Sequence, residues 1–171
     1  MDVFVAPVGK RYRMELIIFI GLQASGKSTF YRTCCSATYE HISMDLLQHN
    51  KNPRKRQLAL LETALQAQQS VVVDNTNPKV EDRLPLIGSG RLYGAKITGY
   101  YFDSTVRQCI ERNRQREGKA KVPDVAIYVT AKKMVHPSYA EGFDMLYEVS
   151  IGENGAFKVR KWIEEEISPP Q

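Results

Sequence analysis

Little in this sequence supplies the usual staples or anchors of small proteins. Cysteine occurs three times, at Cys34, Cys35 and Cys109, the first two adjacent. No Cys-x-x-Cys or Cys/His cluster accompanies them, which argues against a disulfide framework and a structural zinc site. Reduced thiols in the cytoplasm are the simpler expectation. No apolar run approaches the roughly 18 residues of a membrane-spanning helix. The longest, Leu16 to Ile20, follows a charged, tyrosine-containing start that does not read as a signal peptide. These absences lead to the expectation of a cytoplasmic protein without a membrane partner. Internal repeats and low-complexity stretches are missing too.

The rest is an ordinary globular composition. The 171 residues suit one domain, since domains commonly run to about 100–200 residues. Hydrophobic residues make up 43% and charged residues 25%, a balance unlike that of disordered chains. The net charge of +5 is compatible with nucleic acid or phosphorylated partners and says nothing about fold.

The hydrophobic pattern predicts alternating strands and helices. Residues 1–14 form an N-terminal extension with a short extra strand at Val3–Val5, residues 15–150 the core, and residues 151–171 a C-terminal strand and tail. Glu15–Ile20, ending in Gly21, reads as a buried parallel strand with a helix beginning near Lys27. Tyr39–Ser43 is a weaker strand. From Pro53 the pattern becomes helical, with Leu58, Leu61 and Leu65 on one stripe. Val71–Val73 is a buried strand closed by Asp74, and Asn77-Pro78 has the form of a helix start. Lys96–Phe102 is the next strand, with Ser104 or Thr105 capping the helix after it. Pro123 opens another helix to about Lys133. Met145–Ile151 and Phe157–Trp162 are late strands, and Pro169-Pro170 suggests a frayed end. The expectation is a three-layer α/β fold with a mostly parallel central sheet.

Gly21-Leu-Gln-Ala24-Ser25-Gly26-Lys27-Ser28 fits G-x-x-x-x-G-K-[ST] between an apolar strand and a helix, the context this phosphate-binding motif requires. Glycines let the backbone curl so that amide N–H groups surround an anion. Lys27 is placed for the outer phosphates of ATP and Ser28 for a Mg²⁺ ion, and Thr29 completes the phosphate-side set. Asp74, ending the Val71–Val73 strand, has the position of a second Mg²⁺ ligand, or alternatively caps the turn Asn75–Asn77. Asp45 follows the weaker strand. At a carboxyl end of the sheet it could accept the proton of an attacking hydroxyl, although a helix cap would look the same. Arg112, Arg114 and Arg116, with Lys119 and Lys121 beyond, read either as an arginine-bearing lid that closes on phosphates or as a solvated basic helix end. Arg112 and Arg116 are spaced to share a helix face. Arg54, Lys55 and Arg56 form a basic run suited to strand phosphates or to a solvated helix start. Tyr100, Tyr101 and Phe102 read as core, whereas Tyr139 and Phe143 stay open between core and surface.

Asp74-Asn-Thr-Asn-Pro78, Arg112-Asn-Arg-Gln-Arg116 and Ala140-Glu-Gly-Phe143 together resemble the kinase domain of polynucleotide kinase/phosphatase and, more loosely, the phage polynucleotide kinase. The resemblance covers roughly residues 15–150. It implies transfer of the ATP γ-phosphate to a 5′-hydroxyl of DNA or RNA. Asp45 then stands at the general base, Arg116 at the lid arginine, and Lys27 and Ser28 at the loop lysine and the Mg²⁺-binding hydroxyl. Arg83 resembles a position able to reach an acceptor phosphate, and Asn75 and Arg54 join it as candidate acceptor contacts. Two positions depart from the pattern: Met44 and Gln48 stand where family members carry arginines that grip the acceptor strand. No DxDxT-type phosphatase motif occurs, so a phosphatase or ligase is expected, if anywhere, in a separate partner or another part of a larger repair system. Two other readings remain open. One is a kinase of a small metabolite hydroxyl. The other is a nucleotide-binding regulatory module, which needs no acceptor-side base.

Overall fold

Every residue of Glu15–Gly21 (β1) after the first is buried, and the strand alternates its side chains between two apolar layers. Leu16, Ile18 and Ile20 join Val71, Val73, Leu61, Leu65, Leu86 and Ile97 on one face. Ile17 and Phe19 join Val72, Phe30, Tyr100, Phe102 and Val149 on the other. A strand buried on both faces reads as a continuous apolar run, which is why the periodicity of β1 is invisible in sequence. The computed structural model describes residues 13–164; the expected strand at Val3–Val5 and the Pro169-Pro170 end lie outside them.

The strands that follow are Glu40–Ile42 (β2), Val71–Val73 (β3), Lys96–Phe102 (β4), Met145–Ile151 (β5) and Phe157–Lys161 (β6). They form one six-stranded sheet in the order β2-β3-β1-β4-β5-β6. All pairings are parallel except β5 with β6, so the expected mostly parallel three-layer α/β fold is observed. The chain runs from β1 out to β2 at the sheet edge, returns to β3 between them, then crosses to β4 on the other side of β1. That reversal places the carboxyl end of β1 at a topological switch point, where such sheets open a ligand crevice.

The helices are Lys27–Phe30 (α1), continued by a π-helical turn over Tyr31–Cys35, then Pro53–Gln66 (α2), Val80–Leu92 (α3), Val106–Arg114 (α4) and Asp124–Lys133 (α5). Thr105 caps α4, accepting from Gln108 N at 3.2 Å, and Asn52 caps α2, accepting from Lys55 N at 3.1 Å. The start of α3 differs from expectation. Asn77 adopts φ 42° and spends its side chain on Phe19 O at 2.8 Å, so it caps nothing. The helix begins at Val80 instead, where the Asp82 carboxylate accepts from Lys79 N at 3.1 Å. α4 also ends at Arg114, leaving Arg116 beyond the helix rather than on a face shared with Arg112.

The three cysteines are free. Among the described residues, no cluster of metal-binding side chains is found and no helix is long and apolar enough to cross a membrane. Tyr100 and Phe102 are core, as expected, while Tyr101 packs edge-on against Trp162 with centroids 5.4 Å apart. Phe143 is buried, and the Tyr139 hydroxyl accepts from Leu146 N at 3.4 Å.

Candidate active site

The loop from Gly21 to Ser28 joins the carboxyl end of β1 to α1, and its shape depends on small residues. A Cβ on Gly21 would lie 2.8 Å from Phe102 Cβ and 3.0 Å from Ser25 Oγ. Gly26 adopts φ 97° and Ala24 φ 60°, left-handed conformations that glycine takes without strain and other residues take uncommonly. The loop therefore curls on itself, and Lys27 folds into it. Its Nζ donates to Gly21 O at 3.1 Å, to Leu22 O, and to Ser25 Oγ at 3.3 Å. Burial lowers the Lys27 ammonium to about 8, against the opposing pull of Asp74 and Asp45; Arg116 adds to the lowering. A buried cation satisfied only by loop oxygens is poised to exchange them for anionic oxygens, and this fits a phosphate seat.

Ser28 Oγ donates to Asp74 Oδ2 at 2.8 Å, bringing together the two expected metal ligands from residues 46 apart in sequence. Burial acts to raise the Asp74 carboxyl, yet hydrogen bonds from His41 and Ser28, aided by the Lys27 charge, hold it below the usual range. Asp74 is therefore ionised at neutral pH. A hydroxyl and an ionised carboxylate are the hard oxygen donors that Mg²⁺ prefers, so these side chains fit the ion. Thr29 is exposed beside them and accepts from Arg32 Nη2 at 3.1 Å.

The segment after β3 ties the site together one residue at a time. Asn75 Oδ1 accepts from Met44 N at 2.8 Å, and its Nδ2 donates to buried Gln57 Oε1 at 2.6 Å. Thr76 O accepts from Gly21 N at 3.0 Å, and Asn77 holds Phe19 O. Asn75 thus fixes the turn that carries Asp45, a positioning task where a contact to acceptor was expected. Asp45 lies on the short 3-10 turn Met44–Leu47, with its N–H donating to Ser43 Oγ at 3.3 Å. Its side chain is exposed, and its charge still reaches Lys27.

Arg112 and Arg116 approach from the opposite side. Arg112 Nη1 donates to Ser104 Oγ at 3.1 Å and to Ala24 O at 3.4 Å, touching the phosphate loop itself. Arg116 Nη1 donates to Ala120 O at 3.1 Å, and its charge reaches Lys27. Arg114, Lys119 and Lys121 are exposed.

One expected acceptor contact, Arg83, lies in the core, wholly buried. Its Nε and Nη2 donate to the two Glu141 carboxylate oxygens, each at 2.7 Å, and its Nη1 donates to Asn77 O at 3.1 Å and Val135 O at 2.9 Å. A guanidinium with its donors so engaged cannot grip an acceptor phosphate. It clamps the Asn77 turn to the Ala140–Phe143 segment instead, and the expectation for Arg83 is corrected. Arg54 is exposed and pairs with Asp82 at 3.0 Å on the surface. His41, which the sequence reading passed over, lies 2.9 Å from Asp74 Oδ2. A lone histidine in a weak strand carries no motif, and only the register of β2 against β3 brings it to Asp74.

Residues 16–134 match the model of a family described as AAA domain. The bifunctional polynucleotide phosphatase/kinase of Schizosaccharomyces pombe is 28% identical over 144 residues, which cover 82% of this chain and 34% of that protein. The resemblance carried by the Asp74–Pro78, arginine and Ala140–Phe143 segments is thereby borne out. The chain spans about a third of the length of the curated relatives it matches. Among solved structures, a fungal RNA kinase superposes with a TM-score of 0.63 at 20% identity, covering 83% of this chain and 40% of the other. A gluconokinase from Sinorhizobium meliloti gives 0.61 at 22% identity, covering 84% and 86%. These likenesses establish the P-loop kinase fold.

Proposed function

This chain belongs to the AAA domain family, and we propose that it transfers the γ-phosphate of ATP to the 5′-hydroxyl of a DNA or RNA end. The observation that carries the reading is the convergence on one crevice of Lys27, the Ser28–Asp74 pair and Asp45, a carboxylate on its own braced turn. A switch module needs the first three and has no use for the fourth.

The chain's residues divide the work. The curled loop amides and Lys27 hold the outer phosphates, and Lys27 leaves the loop carbonyls to do so. Ser28 and Asp74 would hold Mg²⁺, which supplies further neutralisation of phosphate charge. Asp45 accepts the proton of the attacking hydroxyl as its oxygen bonds to the γ-phosphorus and the bond to the ADP oxygen breaks. Arg112 and Arg116 face the phosphate side and offset the charge on the transferring group. Most of the acceleration then comes from positioning and electrostatics.

The polynucleotide acceptor is supported by the relatives' names and by the combined Asp74–Pro78, arginine and Ala140–Phe143 segments. A second reading, a small metabolite hydroxyl as acceptor, is favoured by Met44 and Gln48 in place of gripping arginines and by the withdrawal of Arg83 into the core.

Incubation with γ-labelled ATP, Mg²⁺ and short 5′-hydroxyl DNA and RNA oligonucleotides tests the choice. Labelled oligonucleotide is the expected product. Asp45→Asn should lower its formation roughly 10²-fold or more while leaving ATP binding and melting unchanged. Acceptor binding that weakens steeply with salt marks a polynucleotide. Failure to label any oligonucleotide, by protein that binds ATP, sinks the polynucleotide reading and leaves the metabolite one.

A further inference from the structure

Asp74 has a second hydrogen-bond partner that the transfer chemistry leaves without a task. His41 Nε2 lies 2.9 Å from Oδ2, the same oxygen that accepts from Ser28 Oγ at 2.8 Å. An ionised carboxylate only accepts, so Nε2 carries the proton of this bond. His41 is the middle residue of β2, in register with Val72 of β3, two residues ahead of Asp74.

The imidazole is itself held. Its ring stacks on Tyr31, with centroids 4.0 Å apart and planes 13° from parallel. Tyr31 opens the π-helical turn that follows α1, and its hydroxyl donates to Tyr39 O at 2.7 Å, just ahead of β2. Isolated π-helical turns recur at functional sites because they re-aim side chains. Here the turn presents Tyr31 to the one histidine that reaches the cation-binding carboxylate. Strand formation alone gives no reason for this arrangement, since a β-branched residue suits the position better. The His41 side chain also keeps 26% exposure, so it fills little of the core.

We propose that His41 is a positioning residue for the divalent-cation site. It donates to Asp74 Oδ2, and the Tyr31 stack fixes its ring, so that the carboxylate keeps its orientation when a cation replaces the Ser28–Asp74 hydrogen bond. The inference rests on the phosphate half of the proposed function and is independent of the acceptor. Partners that orient a metal ligand commonly change metal affinity by about 10–100-fold when removed.

The test is a titration of Mg²⁺ into protein with a fluorescent ADP analogue, beside the same binding measurement in EDTA. In the native chain Mg²⁺ should tighten nucleotide binding. His41→Ala should need roughly tenfold more Mg²⁺ for half of that effect, with EDTA binding and melting unchanged. His41→Gln, whose amide N–H reaches a similar distance, should recover most of the loss, and Tyr31→Leu should shift the requirement in the same direction by less. Should His41→Ala unfold, His41→Leu removes the donor with less loss of packing and serves in its place. An unchanged Mg²⁺ requirement, equal weakening in EDTA, or no recovery by glutamine overturns the positioning role. A native chain that binds no nucleotide overturns the phosphate-site reading as well, and the two failures are therefore distinguishable.

Discussion

The two halves of the crevice are built differently. On the phosphate side, Ser25, Lys27 and Asp74 are each under 10% exposed, and every one of them is bonded to the loop or to a neighbouring strand. On the proposed acceptor side, Asp45, Gln48, Arg54, Lys55 and Arg56 are all exposed, and the turn bearing Asp45 is braced mainly through its backbone. A phosphate chain is the same in every nucleotide, so its seat can be buried and preorganised. An acceptor differs between enzymes, and its contacts complete themselves only when it binds. Changes in the buried half should therefore abolish transfer whatever they do to melting, while the exposed half should show its effects in turnover and acceptor affinity and scarcely in folding.

The sharpest way to break this contrast is Lys27. Removing it by Lys27→Ala should abolish transfer, a loss of roughly 10³-fold or more, with any acceptor. Retained transfer would overturn the phosphate-loop assignment. Lys27 also has a pH signature. Its folded value, about 8, lies below the ordinary 10.5, so between these limits the unfolded chain binds more protons than the folded one. Stability contributed at this site consequently rises with pH across that window and is lowest below it. Lys27→Met, which keeps the volume and removes the charge, should melt at or above the native chain at pH 7 without nucleotide, and its advantage should shrink as pH rises from 8 towards 10. An advantage that grows with pH would mean that the ammonium is not penalised by burial.

Arg83 tests the boundary between the halves. Removing one member of a buried ion pair strands the other, at a cost of about 3–5 kcal/mol. Glu141, itself only 6% exposed, would be that stranded charge. Arg83→Met should thus lower Tm by roughly 10 °C in a chain of this size. A native-like melting curve together with weaker acceptor binding would return Arg83 to the acceptor side.

Arg83 also marks where sequence stops being informative. The phosphate loop was legible because its requirements are local: eight consecutive residues carry the glycines, the lysine and the hydroxyl. Val71–Val73 and Lys96–Phe102 were legible to the residue because short apolar runs bounded by turn residues have few other uses. Arg83 was misread because its partner Glu141 is 58 residues away, and nothing local distinguishes a buried arginine from a phosphate-gripping one. Asn77 looked like a cap for the same reason; its true partner, Phe19 O, is equally distant. His41 was missed because its meaning depends on strand register and on a π-helical turn, neither of which leaves a local pattern.

The mildest expected effect belongs to Arg116. It sits past the end of α4, half-buried, with one described side-chain hydrogen bond, to Ala120 O, so Arg116→Ala removes little that folding depends on. Melting should stay within about 1 °C of the native chain, the usual scale for a surface substitution away from special features. Its charge nevertheless reaches Lys27, which places it to act on the same phosphates. Turnover should therefore fall roughly 10–100-fold, with nucleotide binding in EDTA weakened far less, because charge spread over the transferring group develops only in the transition state. Arg112 offers the control. Its bonds to Ala24 O and Ser104 make it part of the loop's own support, so Arg112→Ala should weaken nucleotide binding and turnover together. If Arg116→Ala instead lowered melting and left turnover intact, Arg116 would be a brace for the turn at Gly118–Ala120, and the preorganised phosphate half would end at Arg112.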